Sequence, residues 1–185
     1  MPLNVLCELL LCTACLWAAY GALRASQTWR LLGFLLIGAA ALLGAVHYAG
    51  VEQVATAHQQ LSAVSGRLSL LLIALGAVRG VRRQALVLAL GALMLGLPEQ
   101  AALFGNLLAL LAIGWPGRSQ RWALACTGCL LFLCAGLAVG TRGEWLGIAR
   151  LDLFHLTLLA AVLCWSFAGL CGTRWAWPWR PLPAN

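Results

Sequence analysis

The sequence predicts an all-α fold: a polytopic integral membrane bundle of seven transmembrane helices, N-terminus out and C-terminus in. Three observations predict it. The 185 residues are 63% hydrophobic and 9% charged, with a mean hydropathy of +0.91. A soluble domain carries roughly a quarter charged residues, and so little charge cannot coat a water-facing surface. The apolar residues come in seven segments. The charges are sorted: Glu8, His47, Glu52, His58, Glu99, Glu144, Asp152 and His155 fall toward one end of these segments. Arg24, Arg30, Arg79, Arg82, Arg83, Arg118, Arg121, Arg174 and Arg180 fall toward the other.

The first segment, Pro2–Leu23, has basic charge only after it, at Arg24 and Arg30. It reads as a retained helix with its N-terminus outside, not as a cleaved signal peptide. The second runs Arg30–Gly50 and the third His58–Val78. Arg67 lies near mid-depth if the third helix begins at His58, and then needs a buried partner such as Glu8 or Glu99. If that helix begins near Gly66, residues 51–66 are an outer loop or interfacial helix. The fourth and fifth segments, Gln84–Leu97 and Gln100–Trp115, fall short of the roughly 20 residues a span needs and are divided by Pro98-Glu99. The sixth is Trp122–Gly140 and the seventh Leu146–Cys171.

Seven passes place Arg24/Arg30, Arg79/Arg82/Arg83, Arg118/Arg121 and the tail on one side, which the positive-inside rule makes the cytoplasm. Merging the fourth and fifth segments would put Arg118 and Arg121 outside. Trp17, Tyr20, Trp29, Trp115, Trp122, Trp175, Trp177 and Trp179 cluster at the same inner interface, as an aromatic belt does. Residues 1–172 form the transmembrane domain, and 173–185 a Trp/Arg/Pro-rich interfacial tail. Gly76/Gly80 and Gly136/Gly140 have a spacing that lets helices approach closely. The expected location is the bacterial inner (plasma) membrane. The +7 charge does not mark a nucleic-acid binder, because the arginines stand singly or in small groups between apolar runs. They are contacts to anionic membrane lipids.

The acidic and imidazole half carries the chemistry. Asp152 and His155 share a face of the seventh segment at i, i+3, and Ser166 lies further along it. His47 sits near the outer end of the second. His58, Ser62, Ser65 and Ser69 form a polar stripe if that stretch is helical. Glu8 opens another with Cys12 and Cys15. Glu99 and Asn106 share a face. Three imidazoles, His47, His58 and His155, can hold Zn²⁺, which commonly takes three protein ligands and leaves a position for water. The metal lowers the pKa of that water toward about 7. Asp152 is then the catalytic carboxylate, acting as general base or orienting a ligand histidine. Glu8 is a possible addition, whereas Glu52, Glu99 and Glu144 read as outer-loop charges. The alternative is that these groups are interfacial residues and hydrogen bonds between packed helices.

Gly44-Ala-Val-His47 and Asp152-Leu-Phe-His155, in a seven-pass layout with N-terminus out, resemble the ceramidase-like superfamily of membrane hydrolases. That superfamily contains alkaline ceramidases and relatives of the adiponectin and progestin receptors. The resemblance implies a zinc held by three histidines, with Ser and Asp nearby, and cleavage of lipid amide or ester bonds. The family pattern has histidine where Leu151 stands and serine where Leu43 stands. The resemblance therefore implies either a hydrolase or an inactive relative.

Two further classes remain open from sequence. One is a non-enzymatic membrane subunit or a binder of lipids or small molecules. The other is a b-type haem protein with two histidines as axial ligands. The pairs Cys12-Thr-Ala-Cys15 and Cys126-Thr-Gly-Cys129 suggest redox chemistry or metal, but inside apolar segments cysteine usually packs as a small hydrophobe. No phosphate-cradling glycine loop or nucleophile elbow occurs.

Overall fold

The computed structural model describes residues 3–171. Seven α-helices stand among the described residues: α1 Leu3–Arg24, α2 Thr28–Tyr48, α3 Ala55–Ala74, α4 Val81–Gly96, α5 Glu99–Gly114, α6 Trp122–Cys134 and α7 Arg150–Phe167. A π-helical turn, Ala135–Val139, prolongs α6. A two-residue-per-strand hairpin, β1 Glu144–Trp145 and β2 Ile148–Ala149, precedes α7. The class is all-α. The interfacial tail expected at 173–185 lies outside the described residues.

Among the described residues, four helices are long and apolar enough to cross a membrane: α1, α2, Trp122–Val139 and α7. α3 has 20 residues but carries His58, Gln59, Gln60, three serines and Arg67. α4 and α5 have 16 residues each, about 24 Å at ~1.5 Å per residue, short of the ~30 Å hydrocarbon layer.

The helix order in space follows from small residues. Ala14, Ala18 and Ala22 give α1 a smooth buried face, which packs between α2 and α7. α2 continues onto α3, α3 onto α5, α5 onto α6 and α6 onto α7, closing a ring of six. α4 sits outside against α3 and α5 and buries only Val87 and Met94. Phe34, Leu11, Leu70, Ile73, Ile113 and Trp165 fill the centre. Of the four glycines expected to admit close packing, Gly76 does so, against the Arg30 side chain. Gly80, Gly136 and Gly140 face open space. Instead, a Cβ on Gly33 would lie 2.7 Å from the Ser69 carbonyl, and one on Gly128 2.7 Å from the Trp165 indole.

Helix ends explain several differences from the sequence boundaries. α2 and α7 end in the same motif, with Gly50 and Gly169 at positive φ (102° and 77°). The Leu170 amide donates to the Trp165 carbonyl at 3.2 Å, and the Gly169 amide to Ser166 at 3.1 Å. Only glycine takes this left-handed position without a Cβ penalty. α7 starts at Arg150, not Leu146, because Leu146 and Gly147 both have positive φ (53° and 77°). That is the requirement of a tight hairpin turn, and it is incompatible with helix.

α3 begins at Ala55, after a 3₁₀ turn at Glu52–Val54, so most of 51–66 is helix rather than loop. Arg67 therefore lies well inside α3, yet its partner is neither Glu8 nor Glu99. Its Nη1 donates to the carbonyls of Leu95 (2.7 Å) and Leu97 (2.9 Å). These belong to the last turn of α4, where Pro98 supplies no amide to continue the ladder.

Arg30, read from sequence as a headgroup anchor, is 3% exposed. Its Nε donates to the Ile73 carbonyl at 3.0 Å. Its Nη1 donates to the Leu170 carbonyl and to Gln27 Oε1, each at 2.5 Å. Arg118 donates to the neighbouring Ala74 carbonyl. The unsatisfied ends of α3 and α7 are thus closed by arginines from α2 and from the α5–α6 connection.

Candidate functional site

At the opposite end of the bundle, α1, α2, α3, α6 and α7 enclose a cavity of about 450 Å³. Its polar lining is Glu8, Tyr48, His58, Thr141, His155 and the α3 stripe Ser62, Ser65 and Ser69. Leu11, Ile37, Phe132, Phe154 and Leu158 supply apolar wall.

Glu8 lies on the buried face of α1 and is 1% exposed. Neither carboxylate oxygen has a hydrogen-bond partner among the described residues. The imidazole of His155 approaches it, with Nε2 at 3.3 Å from Oε1, without the alignment of a hydrogen bond. His155 is 8% exposed, packs edge-on against Phe154 and leaves Nδ1 unpartnered.

His58 reaches the same place from α3. A Cβ on Gly44 would meet both Glu8 Oε1 and, at 3.0 Å, His58 Cε1. The absence of a side chain at Gly44 is what lets carboxylate and imidazole converge. His58 Nδ1 lies 3.1 Å from the Ala40 carbonyl. A carbonyl can only accept, so this bond puts a proton on Nδ1, and in the neutral tautomer it leaves the lone pair on Nε2. That is how backbone carbonyls orient histidines that bind metals.

His47 and Asp152 stand beside the cavity rather than in its lining. The His47 ring stacks on His58 with centroids 6.1 Å apart, and its Nδ1 is buried without a partner. Asp152 is 6% exposed, one turn before His155, with Oδ1 unpartnered. In the first turn of α7 its charge also opposes the positive end of the helix. Ser166 is not part of the lining; it donates to the Val162 carbonyl at 2.9 Å. Glu99 and Glu52 are exposed. The cysteine pairs stay apart from this site. Cys126 and Cys129 donate to the Gly114 and Leu110 carbonyls at 3.1 and 3.3 Å, and Cys15 packs on Gly38.

The arrangement fits a metal in donor type and in its unsatisfied atoms. Glu8, His47, Asp152 and His155 all present buried N or O atoms with no partner, and such atoms are costly without one. Two ligands on a tetrahedral zinc at ~2.0–2.1 Å lie about 3.4 Å apart; the His155–Glu8 separation is 3.3 Å. Among the described residues, no three His, Cys, Asp or Glu side chains are gathered as one metal-holding group.

Glu8, only an addition to the three imidazoles in the sequence, holds the centre here with His155 and His58. The signal was present for Glu8: it is the one carboxylate within the first apolar segment, placed with Cys12 and Cys15 on a single face. Gly44 and Phe132 carried no signal. No family model, curated protein or solved structure matches the chain.

Proposed function

We propose that this chain is a seven-pass integral membrane protein of the bacterial inner membrane, N-terminus out and C-terminus in. Its cavity is the site of a zinc-dependent lipid amide or ester hydrolase, placed toward the outer side. The observation that carries this reading is the His155–Glu8 pair: buried, 3.3 Å apart, not hydrogen-bonded, and joined over Gly44 by His58. The outer placement rests on nine of the twelve arginines falling toward the far end of the apolar segments, with Arg142 and Arg150 the exceptions at the cavity end.

His155, His58 and Glu8 would hold the ion, with His47 beside them. Leu151 lines the cavity where the ceramidase-like pattern has histidine, so Glu8 and His58 supply donors that α7 lacks. Bound zinc supplies an acidified water and polarises a carbonyl. Asp152 does not line the cavity; one turn before His155, its part is to orient that imidazole when the ion is bound. Ser62, Ser65 and Ser69 offer hydroxyls to a polar head. Leu11, Ile37, Phe132, Phe154 and Leu158 exclude water and receive an apolar chain.

The lack of a gathered three-donor group among the described residues favours a second reading, a non-enzymatic binder of lipids or small molecules. There the unpaired atoms would bond a polar ligand directly. Metal analysis of protein purified without a histidine tag separates the two. The hydrolase reading expects near-stoichiometric zinc, lost in His155→Ala and His58→Ala. Metal-free protein, or zinc that survives both substitutions, leaves the binder.

A further inference from the structure

A second cavity, of about 420 Å³, lies between α3, α5 and the α6–π segment. Its walls include Leu70, Leu103, Phe104, Leu110, Leu133 and Leu137. Leu103, Phe104 and Leu137 are 56%, 70% and 78% exposed, so its mouth opens sideways on the surface that faces lipid. The size falls within the ~300–1,000 Å³ of small-molecule sites.

One polar group decides what fits. Asn106 lines the cavity, and its Nδ2 donates to the Gly66 carbonyl at 2.8 Å. That bond fixes the amide, because a carbonyl cannot pair with Oδ1. Oδ1 is left buried with no donor. Water does not suit the place, since it needs two to four polar partners and the walls are apolar apart from Gln100 and Asn106. An ordinary acyl chain carries no donor. Asn106 lies seven residues into α5, about 10 Å along the axis at ~1.5 Å per residue, which is deeper than headgroups sit. The π turn widens α6 at this point, and Gly136 has no neighbour within 4 Å of a built Cβ. Such turns frequently mark functional sites.

We infer that this cavity binds a membrane-soluble small molecule: an apolar body bearing one hydroxyl or N–H, which donates to Asn106 Oδ1. The site shares Phe132 and Gly136 with the histidine cavity but does not depend on its proposed hydrolysis.

The test uses the full chain in detergent micelles and a diazirine-bearing octanol as photolabel. The competitors are 1-decanol, a donor, and its methyl ether, which is not, compared at equal concentrations in the micelle phase. Labels should map to 103–107 and 133–137. Decanol should compete at roughly tenfold lower concentration than the ether, the scale of one buried acceptor satisfied. Asn106→Leu should weaken labelling by the alcohol probe, leave its map on 103–107 and 133–137, and abolish that advantage. Leu137→Trp, at the exposed rim, should block labelling on α5 without disturbing the interior. The inference is overturned by equal competition, labels confined to other helices, an advantage that survives Asn106→Leu, or labelling unchanged in Leu137→Trp.

Discussion

Replacing Arg30 by Met should destabilise the bundle more than any change to the arginines at its surface. The guanidinium closes two helix ends at once, through the Ile73 carbonyl on α3 and the Leu170 carbonyl just past α7. Met fills a similar volume against Gly76, which packs directly on the Arg30 side chain, but donates nothing. The Leu170 carbonyl left unpaired costs about 1–3 kcal/mol; the Ile73 carbonyl keeps the Gly76 amide at 3.3 Å and loses about 0.5–1.5 kcal/mol, so the two together cost ~2–5 kcal/mol. Removing a buried charge that has no carboxylate partner returns part of this, leaving a net loss of about 2–4 kcal/mol. For a chain of this length each kcal/mol moves the unfolding midpoint by ~2–4 °C. The expected fall in Tm is therefore on the order of 5–15 °C. A thiol-reactive fluorogenic dye reads this directly in detergent, because Cys15 and Cys171 are fully buried and react only on unfolding. Arg30→Lys keeps charge and one donor group and should lie between. If Arg30→Met melts within 2 °C of wild type, the arginine is not closing those helix ends.

Three further outcomes are expected. Gly44→Ala should push Glu8 and His58 apart and weaken zinc binding by about 10–100-fold, at a stability cost of ~1–3 kcal/mol for the crowded methyl; isothermal titration and thermal melts check both. Arg67→Leu should speed hydrogen exchange around residues 95–98, where its two backbone bonds lie, by roughly tenfold or more, while α1 and α2 stay protected. A C-terminal green fluorescent protein fusion should fluoresce and a C-terminal alkaline phosphatase fusion should be inactive, as a cytoplasmic C-terminus requires; the reverse pattern refutes the orientation.

Period and punctuation made the helices legible. The apolar segment Pro2–Leu23 corresponds to α1 at Leu3–Arg24, and Pro98 marks the break between α4 and α5. What stayed hidden depends on distant partners. Arg67 was expected to seek a carboxylate, yet it finds carbonyls 28 and 30 residues away. Arg30 shared its pattern with true interfacial arginines, because nothing local distinguishes a buried guanidinium from an exposed one. Leu146 was read into α7 because it is apolar, whereas Gly147 beside it sets a turn. In the site, one-dimensional spacing paired Asp152 with His155. It could not rank Glu8 and His58, because their convergence depends on three helices meeting over a glycine.

The most direct measurement of the central claim is zinc K-edge X-ray absorption on the zinc-loaded protein, alongside Glu8→Gln and His155→Ala. The account predicts a shell of nitrogen and oxygen only, at ~2.0–2.1 Å, with imidazole scattering that weakens in His155→Ala and zinc occupancy that falls in Glu8→Gln. Zinc–sulfur scattering at ~2.3 Å would place the ion on the cysteines. That result, or zinc unaffected by either substitution, would contradict the account.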